Sequence, residues 1–117
     1  MRVAVVGSRN IELVNLEEYL PEDVTEIISG GAKGVDSCAR AYAREHGIKL
    51  TEFLPDYRRY GRGAPLRRNL TILEHVDLVL AFWDGQSRGT KFVIDNARRM
   101  GVEVRVIQID QWRQTSC

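Results

Sequence analysis

Two stretches of this chain are apolar without a break, Val3-Ala4-Val5-Val6 and Leu78-Val79-Leu80-Ala81-Phe82-Trp83. Successive side chains of a strand point to opposite faces, so an unbroken apolar run fits where both faces are covered, as at the centre of a parallel sheet. The strands they predict run from Arg2 to Val6 and from Asp77 to Trp83. Three other strand-type runs, Val24 to Ile28, Ile48 to Phe53 and Val102 to Ile109, are diluted by Thr25 and Glu26, by Lys49, Thr51 and Glu52, and by Glu103, Arg105 and Gln108. These belong further out. Every gap between runs is long enough for a helix, and strands alternating with helices build a parallel α/β sheet covered on both faces. With the first and fourth strands as central neighbours, the predicted spatial order is 3-2-1-4-5.

The helical pattern is clearest where Val35, Cys38, Ala39, Tyr42 and Ala43 fall on one face and Gly47 supplies a stop. A first helix is expected over Ile11 to Leu20, ended by Pro21. A third opens with Pro65 and carries Leu66, Leu70 and Leu73 as its apolar stripe; a fourth carries Val93, Ala97 and Met100 and stops at Gly101. The 117 residues suit one domain, residues 1–117, with no repeat or linker. A formal net charge of +1, with 44% hydrophobic and 28% charged residues, gives no whole-protein bias toward nucleic acid or membrane. Only four apolar residues follow Met1-Arg2, too few for a signal-peptide core, and no run reaches membrane-spanning length. Cys38 and Cys117 stand alone, without a CxxC pair, so the expected compartment is a reducing cytoplasm.

An order of 3-2-1-4-5 reverses the direction of winding between strands 1 and 4. Ligands of open parallel sheets bind at that switch point, outside the carboxyl ends of the strands. Three loops converge there: Gly7-Ser8-Arg9, Ser29 to Asp36, and Asp84 to Thr90. The second, Ser29-Gly30-Gly31-Ala32-Lys33-Gly34-Val35-Asp36, is bare enough to curl backbone N–H groups around a phosphate, and the helix behind it aims its positive dipole end at the same point. It matches neither GxGxxG nor GxxxxGK[ST], and its glycines also suit tight turns. Asp36 either complements the helix dipole or takes a ribose hydroxyl. Ser87 and Thr90, with Gly85 and Gly89 around them, either cap the fourth helix or donate to phosphate. Asp84 is a ribose-type partner; no second carboxylate lies near enough in sequence for a metal site, so none is expected.

Arg9 at the mouth of the crevice suits bidentate phosphate contact, with a surface ion pair as the alternative. Asn69 falls on the apolar stripe of the third helix, so its amide either ties down a loop or faces a ligand, and Arg68 beside it reaches the same crevice. His46 and His75 lie near helix ends, and no catalytic residue is assigned. From Asp56 to Arg68 the chain gathers five arginines and two tyrosines. That pattern serves a lid, a subunit contact or a clamp on single-stranded nucleic acid.

Taken together, Gly7-Ser8-Arg9, the Ser29 to Asp36 loop, Arg68-Asn69, Ala81-Phe82-Trp83-Asp84-Gly85 and Ser87-Arg88-Gly89-Thr90 resemble the short proteins of the SLOG superfamily, in the YspA-like branch known as domain of unknown function 2493. The resemblance runs from Arg2 to about Ile109. It implies a three-layer Rossmann-like fold and a nucleotide or nucleotide-derived ligand at the glycine loops, with no obligatory cofactor. The related Lonely-guy phosphoribohydrolases cleave the N-glycosidic bond of nucleoside 5′-monophosphates, typically as dimers, and carry a PGGxGTxxE motif. Here Arg68 and Gly89-Thr90 fit that pattern, Asp84 to Arg88 replaces Pro-Gly-Gly, and Val93 stands where the catalytic glutamate would be. Cleavage through an oxocarbenium-like state wants a carboxylate there, and Asp95 points about 200° round the helix from position 93. The DNA-processing protein A family, a second relative, binds single-stranded DNA; the near-neutral charge and the missing accessory domains disfavour that role.

The expected function is therefore binding of a nucleotide-type ligand, for sensing or sequestration, with glycosidic hydrolysis and single-strand binding as alternatives. The expected ligand contacts are Gly7, Ser8, Arg9, Gly30, Gly31, Ala32, Lys33, Gly34, Asp36, Arg68, Asn69, Asp84, Gly85, Ser87, Gly89 and Thr90. A homo-oligomer, dimer or higher, is expected through Tyr57, Tyr60 and Trp112.

Overall fold

A computed structural model describes residues 1–8, 11, 15–30 and 34–109. Five strands, β1 (Arg2–Gly7), β2 (Glu26–Ser29), β3 (Lys49–Glu52), β4 (Leu78–Trp83) and β5 (Glu103–Gln108), form one sheet in the order β3-β2-β1-β4-β5. All pairings are parallel. The order read from the apolar runs is the observed one. β1 and β4 lie side by side in the middle, in register from Val3 opposite Leu78 to Gly7 opposite Phe82.

The period of two explains why those runs carry no polar residue. Val3, Val5, Leu78, Leu80 and Phe82 enter one core, beneath helix α1 (Val35–His46) and a 3-10 turn at Leu16–Glu18. Ala4, Val79 and Ala81 enter the other, beneath α3 (Ala64–Leu73) and α4 (Arg88–Arg99). The result is a three-layer Rossmann-like sandwich. Ile27 and Ile28 divide between the same two cores, whereas β3 and β5, at the edges, keep polar and half-exposed side chains.

α1 ends where predicted, at a left-handed Gly47 (φ 64°) whose N–H donates to the Ala43 carbonyl. α3 begins with proline in its first turn, as the sequence indicates. The first predicted helix does not form as expected. Ile11 is not helical, Asn15 is extended (φ −91°, ψ 93°), and the turn at Leu16–Glu18 is the helical element described there. Ile11 and Leu16 are both buried in the core under α1. Five residues along a helix turn the chain through about 140° from the starting face, so one helix cannot bury both against the same surface. The stripe of α3 is also rotated from expectation. Ala64, Ile72 and Leu73 are buried, but Leu66 is 43% exposed, because the face carrying Leu66 and Asn69 turns away from the core. Met100 lies at the end of α4 and is exposed.

The segment rich in arginine and tyrosine is folded. Asp56 caps a short helix α2 (Tyr57–Tyr60) by accepting from the Arg59 N–H at 3.2 Å, and a 3-10 turn at Gly61–Gly63 leads into α3. Cys38 does not stand alone: it is buried and disulfide-bonded, which removes the cysteine argument for a reducing compartment. No helix among the described residues is long and apolar enough to cross a membrane.

β1 ends in a glycine because α1 starts against it. A Cβ built on Gly7 would lie 2.5 Å from the Val35 Cγ2 and 2.7 Å from the Val35 Cβ, and Val35 is itself buried. Gly7→Ala should destabilise the protein by about 1–3 kcal/mol. Combined with Val35→Ala, it should cost less than the sum of the two single changes, since the smaller side chain vacates the clash. Urea denaturation of the two single variants and the double variant measures both effects.

Candidate functional site

The carboxyl ends of β1, β2 and β4 and the first turns of α1 and α4 surround an open cleft of about 740 Å³ at the switch point. Of the residues singled out in the sequence, Gly7, Gly30, Asp36, Arg68, Asn69, Asp84, Ser87, Gly89 and Thr90 line it. Ser8 lies directly beneath and is buried, Gly34 is the N-cap of α1, and Gly85 turns the β4 loop with φ 84°. Arg9, Gly31, Ala32 and Lys33 fall outside the described residues, as does Trp112.

The floor of the cleft is a polar network joining β1 to the loop after β4. Asp84 Oδ1 accepts from the N–H groups of Gln86 (2.8 Å) and Ser87 (2.7 Å) and from the Ser8 hydroxyl (3.3 Å). The Ser8 Oγ in turn accepts from the Asp84 N–H at 3.3 Å and meets the buried Thr90 hydroxyl at the same distance. Ser87 caps α4, accepting from the Thr90 N–H at 3.5 Å, and its carbonyl accepts from the Trp83 indole at 3.0 Å. Asp84 is thus first a loop organiser: its carboxylate folds Gly85 to Ser87 so that the start of α4 faces the cleft. The N–H groups of Arg88 and Gly89 begin that helix, where no intrahelical acceptor exists for them. Its first turn contains no acidic residue, whereas Asp36 already stands in the first turn of α1. The Asp84 carboxylate answers the α4 dipole from the loop before the helix, through the N–H groups of Gln86 and the N-cap Ser87, and leaves the N–H groups of the first turn to the cleft side.

Arg68 spans the opposite wall. From α3 its Nη1 donates to the carbonyls of Gly30 (3.0 Å) and Phe53 (3.4 Å), at the ends of β2 and β3, and its Nε donates to Asn69 Oδ1 (2.9 Å). Burial lowers its pKa from the ordinary arginine value, and the neighbouring Asp36 and then Tyr57 act in the other direction, favouring the charged form. Nη2 has no hydrogen-bond partner among the described residues. Gly30 makes this reach possible, since a Cβ there would sit on the guanidinium, 2.8 Å from Cζ.

One side of the cleft was missed by residue chemistry. Leu54, Pro55, Tyr57, Pro65 and Leu66 form an apolar wall, and Leu54 is 68% exposed and Tyr57 61%. Tyr57 belongs to the segment read in sequence as a lid, subunit contact or clamp, and Leu66 to the apolar stripe of α3; Leu54 and Pro55 look like ordinary strand-end residues, and their place in the cleft wall appears only in three dimensions. Val93, one turn into α4 and buried, also lines the cleft. The position at which the resemblance to the Lonely-guy enzymes would put a glutamate therefore lines the cleft with methyl groups. Tyr60 is engaged within the chain, with the Arg67 guanidinium 4.8 Å and the Arg59 guanidinium 5.2 Å from its ring centre.

The family model described as YspA, cpYpsA-related SLOG family matches residues 1–60. The chain is also similar to the Gene 61 protein of Mycobacterium phage D29, at 32% identity over 84 residues, which is 67% of this chain and 67% of that protein. No solved structure matches significantly.

The Asp84 carboxylate gathers three donors, so its removal should loosen the β4 loop. Asp84→Ala is expected to cost about 1–3 kcal/mol. Asp84→Asn, which keeps an acceptor oxygen, should cost less, and thermal denaturation with both variants measures the difference.

Proposed function

Because the chain belongs to the YspA, cpYpsA-related SLOG family, we propose that its cleft binds a nucleotide or nucleotide-derived ligand, for sensing or sequestration. Membership of that family points to nucleotide-related binding or processing. The observation that carries the narrower reading is the division of the cleft into two halves. On one side lie the N-terminus of α4, the hydroxyls of Ser87 and Thr90, and Arg88; on the other lies the apolar wall of Leu54, Pro55, Tyr57 and Leu66. A phosphate suits the first and the face of a base suits the second. Arg68 and Asp36 stand between them, with donors for oxygen and a carboxylate for ribose hydroxyls. A volume of about 740 Å³ is within the range of small-molecule sites.

Binding is favoured over glycosidic hydrolysis by Val93. Oxocarbenium chemistry draws on a carboxylate beside the sugar, and the helix position that would hold it is apolar. Single-strand binding is less favoured, because Tyr60 already carries two guanidiniums on its ring and the described cleft lining contains the carboxylates of Asp36 and Asp84 as well as Arg68 and Arg88. Self-association as a dimer or larger assembly would cover the exposed Leu54, Tyr57 and Leu66 at the mouth of the cleft.

Isothermal titration with adenosine, guanosine, cytidine and uridine 5′-monophosphates tests the reading. Binding of at least one is expected, without release of free base on prolonged incubation; failure to bind any overturns it. Gly89→Glu gives a sharper check. Nothing lies within 4 Å of a Cβ at Gly89, so the side chain fits, and its carboxylate would stabilise the start of α4 while occupying the phosphate position. The variant should melt at or above the wild-type temperature and bind nucleotide at least about tenfold more weakly.

A further inference from the structure

The amide of Asn69 has a fixed orientation. Its Oδ1 lies 2.9 Å from the Nε of Arg68, and a guanidinium can only donate, so the oxygen of the amide must face it. A flipped amide would set two donors against each other. The Nδ2 group, with two N–H donors, is left without a hydrogen-bond partner among the described residues, and Asn69 lines the cleft. Leu66 precedes Asn69 by three residues on α3, so the two are neighbours on one helix face, and both line the cleft beside the apolar wall. A half-buried donor in such a place is costly to leave unpaired against an apolar ligand, and it discriminates between ligands that can accept a hydrogen bond and ligands that cannot.

From this we infer that Asn69 is a specificity-determining residue whose Nδ2 donates to an acceptor on the base, a carbonyl oxygen or an unprotonated ring nitrogen, while the phosphate lies at the start of α4. The inference rests on the proposed nucleotide reading and deepens it. Arg68 acts through Asn69 as a positioning residue: by holding Oδ1 it presents the cleft with a donor only. The base is then recognised by its flat face on Leu54, Pro55 and Tyr57 and by one acceptor on its edge. A phosphosugar without a base would use the phosphate position alone.

The test compares two probes on the full chain, the nucleoside 5′-monophosphate that binds best and ribose 5-phosphate, by isothermal titration. Wild type should bind the nucleotide at least about tenfold more tightly than the sugar phosphate. Asn69→Asp keeps an acceptor for Arg68 Nε and replaces the donor by a carboxylate oxygen; it should remove most of that preference and leave the ribose 5-phosphate affinity within about twofold. A merely structural role for Asn69 would leave the preference intact, because the contact with Arg68 is retained. Equal losses on both probes would mark repulsion of the phosphate by the new charge. Either result overturns the assignment, as does a wild type that binds the two probes equally well. Asn69→Leu, which removes the amide without adding charge, carries the same expectation and serves if the aspartate variant does not fold. Should wild type bind neither probe, the nucleotide reading itself fails; wild-type nucleotide binding with an unaffected variant removes only the role of Asn69.

Discussion

The parallel pairing of β1 with β4 fixes where every other part of this protein can go. Both strands are buried on both faces, and their registered contact runs from Val3 opposite Leu78 to Gly7 opposite Phe82. Chain connections lead outward from it in two directions, to β2 and β3 on one side and to β5 on the other. The gap between those two sets of connections is the cleft. Its position follows from hydrophobic burial, because only two runs are apolar enough for the centre, and the loops that leave their carboxyl ends have to meet.

Bonds that hold the fold and groups that face the cleft are here largely the same atoms. Asp84, Ser8 and Thr90 tie β1 to the start of α4, and the tie sets that helix start against the cleft. Arg68 ties α3 to the ends of β2 and β3, with one guanidinium nitrogen that bonds to none of the described residues. Such double use gives pre-organisation, since side chains already ordered by the fold lose little freedom when a ligand arrives. Under the proposed nucleotide reading it would also make stability and ligand affinity hard to separate at Asp84 or Arg68, and easier to separate at Gly89 and Asn69.

What could be read from the sequence was set by the range of the interaction. Strand order was legible because central burial leaves a mark on every residue of a run, and α1 because its period and its Gly47 stop are local. The cleft loops were legible because glycine and hydroxyl residues cluster there. The segment before β2 was not, since Ile11 and Leu16 share a core without sharing a helix face. Glu26 helped to mark β2 as an outer strand, yet it is 8% exposed, held by Arg2 and by the Thr51 hydroxyl. Its partners are supplied by other strands. Leu54 and Leu66 of the apolar wall escaped for a similar reason: they are ordinary residue types, made unusual only by the tertiary arrangement that leaves them uncovered beside Tyr57. Asn69, expected on the apolar stripe of α3, lies on a face that the fold gives to the cleft and not to a core stripe.

The central pair also sets the order of events during synthesis. β1 is made first, but one of its two neighbours, β4, follows some 75 residues later, the separation of Arg2 from its partner Asp77. Until then β1 has β2 on one edge, and its other edge is an open row of N–H and C=O groups flanked by apolar side chains. The early part of the chain can collapse and form α1, but it cannot close its sheet. Completion waits for a long-range contact, which is slow in entropic terms and leaves a nascent chain exposed to wrong partners. Of the five strands, the one that anchors the cleft is made first and waits through the longest stretch of chain for its second neighbour.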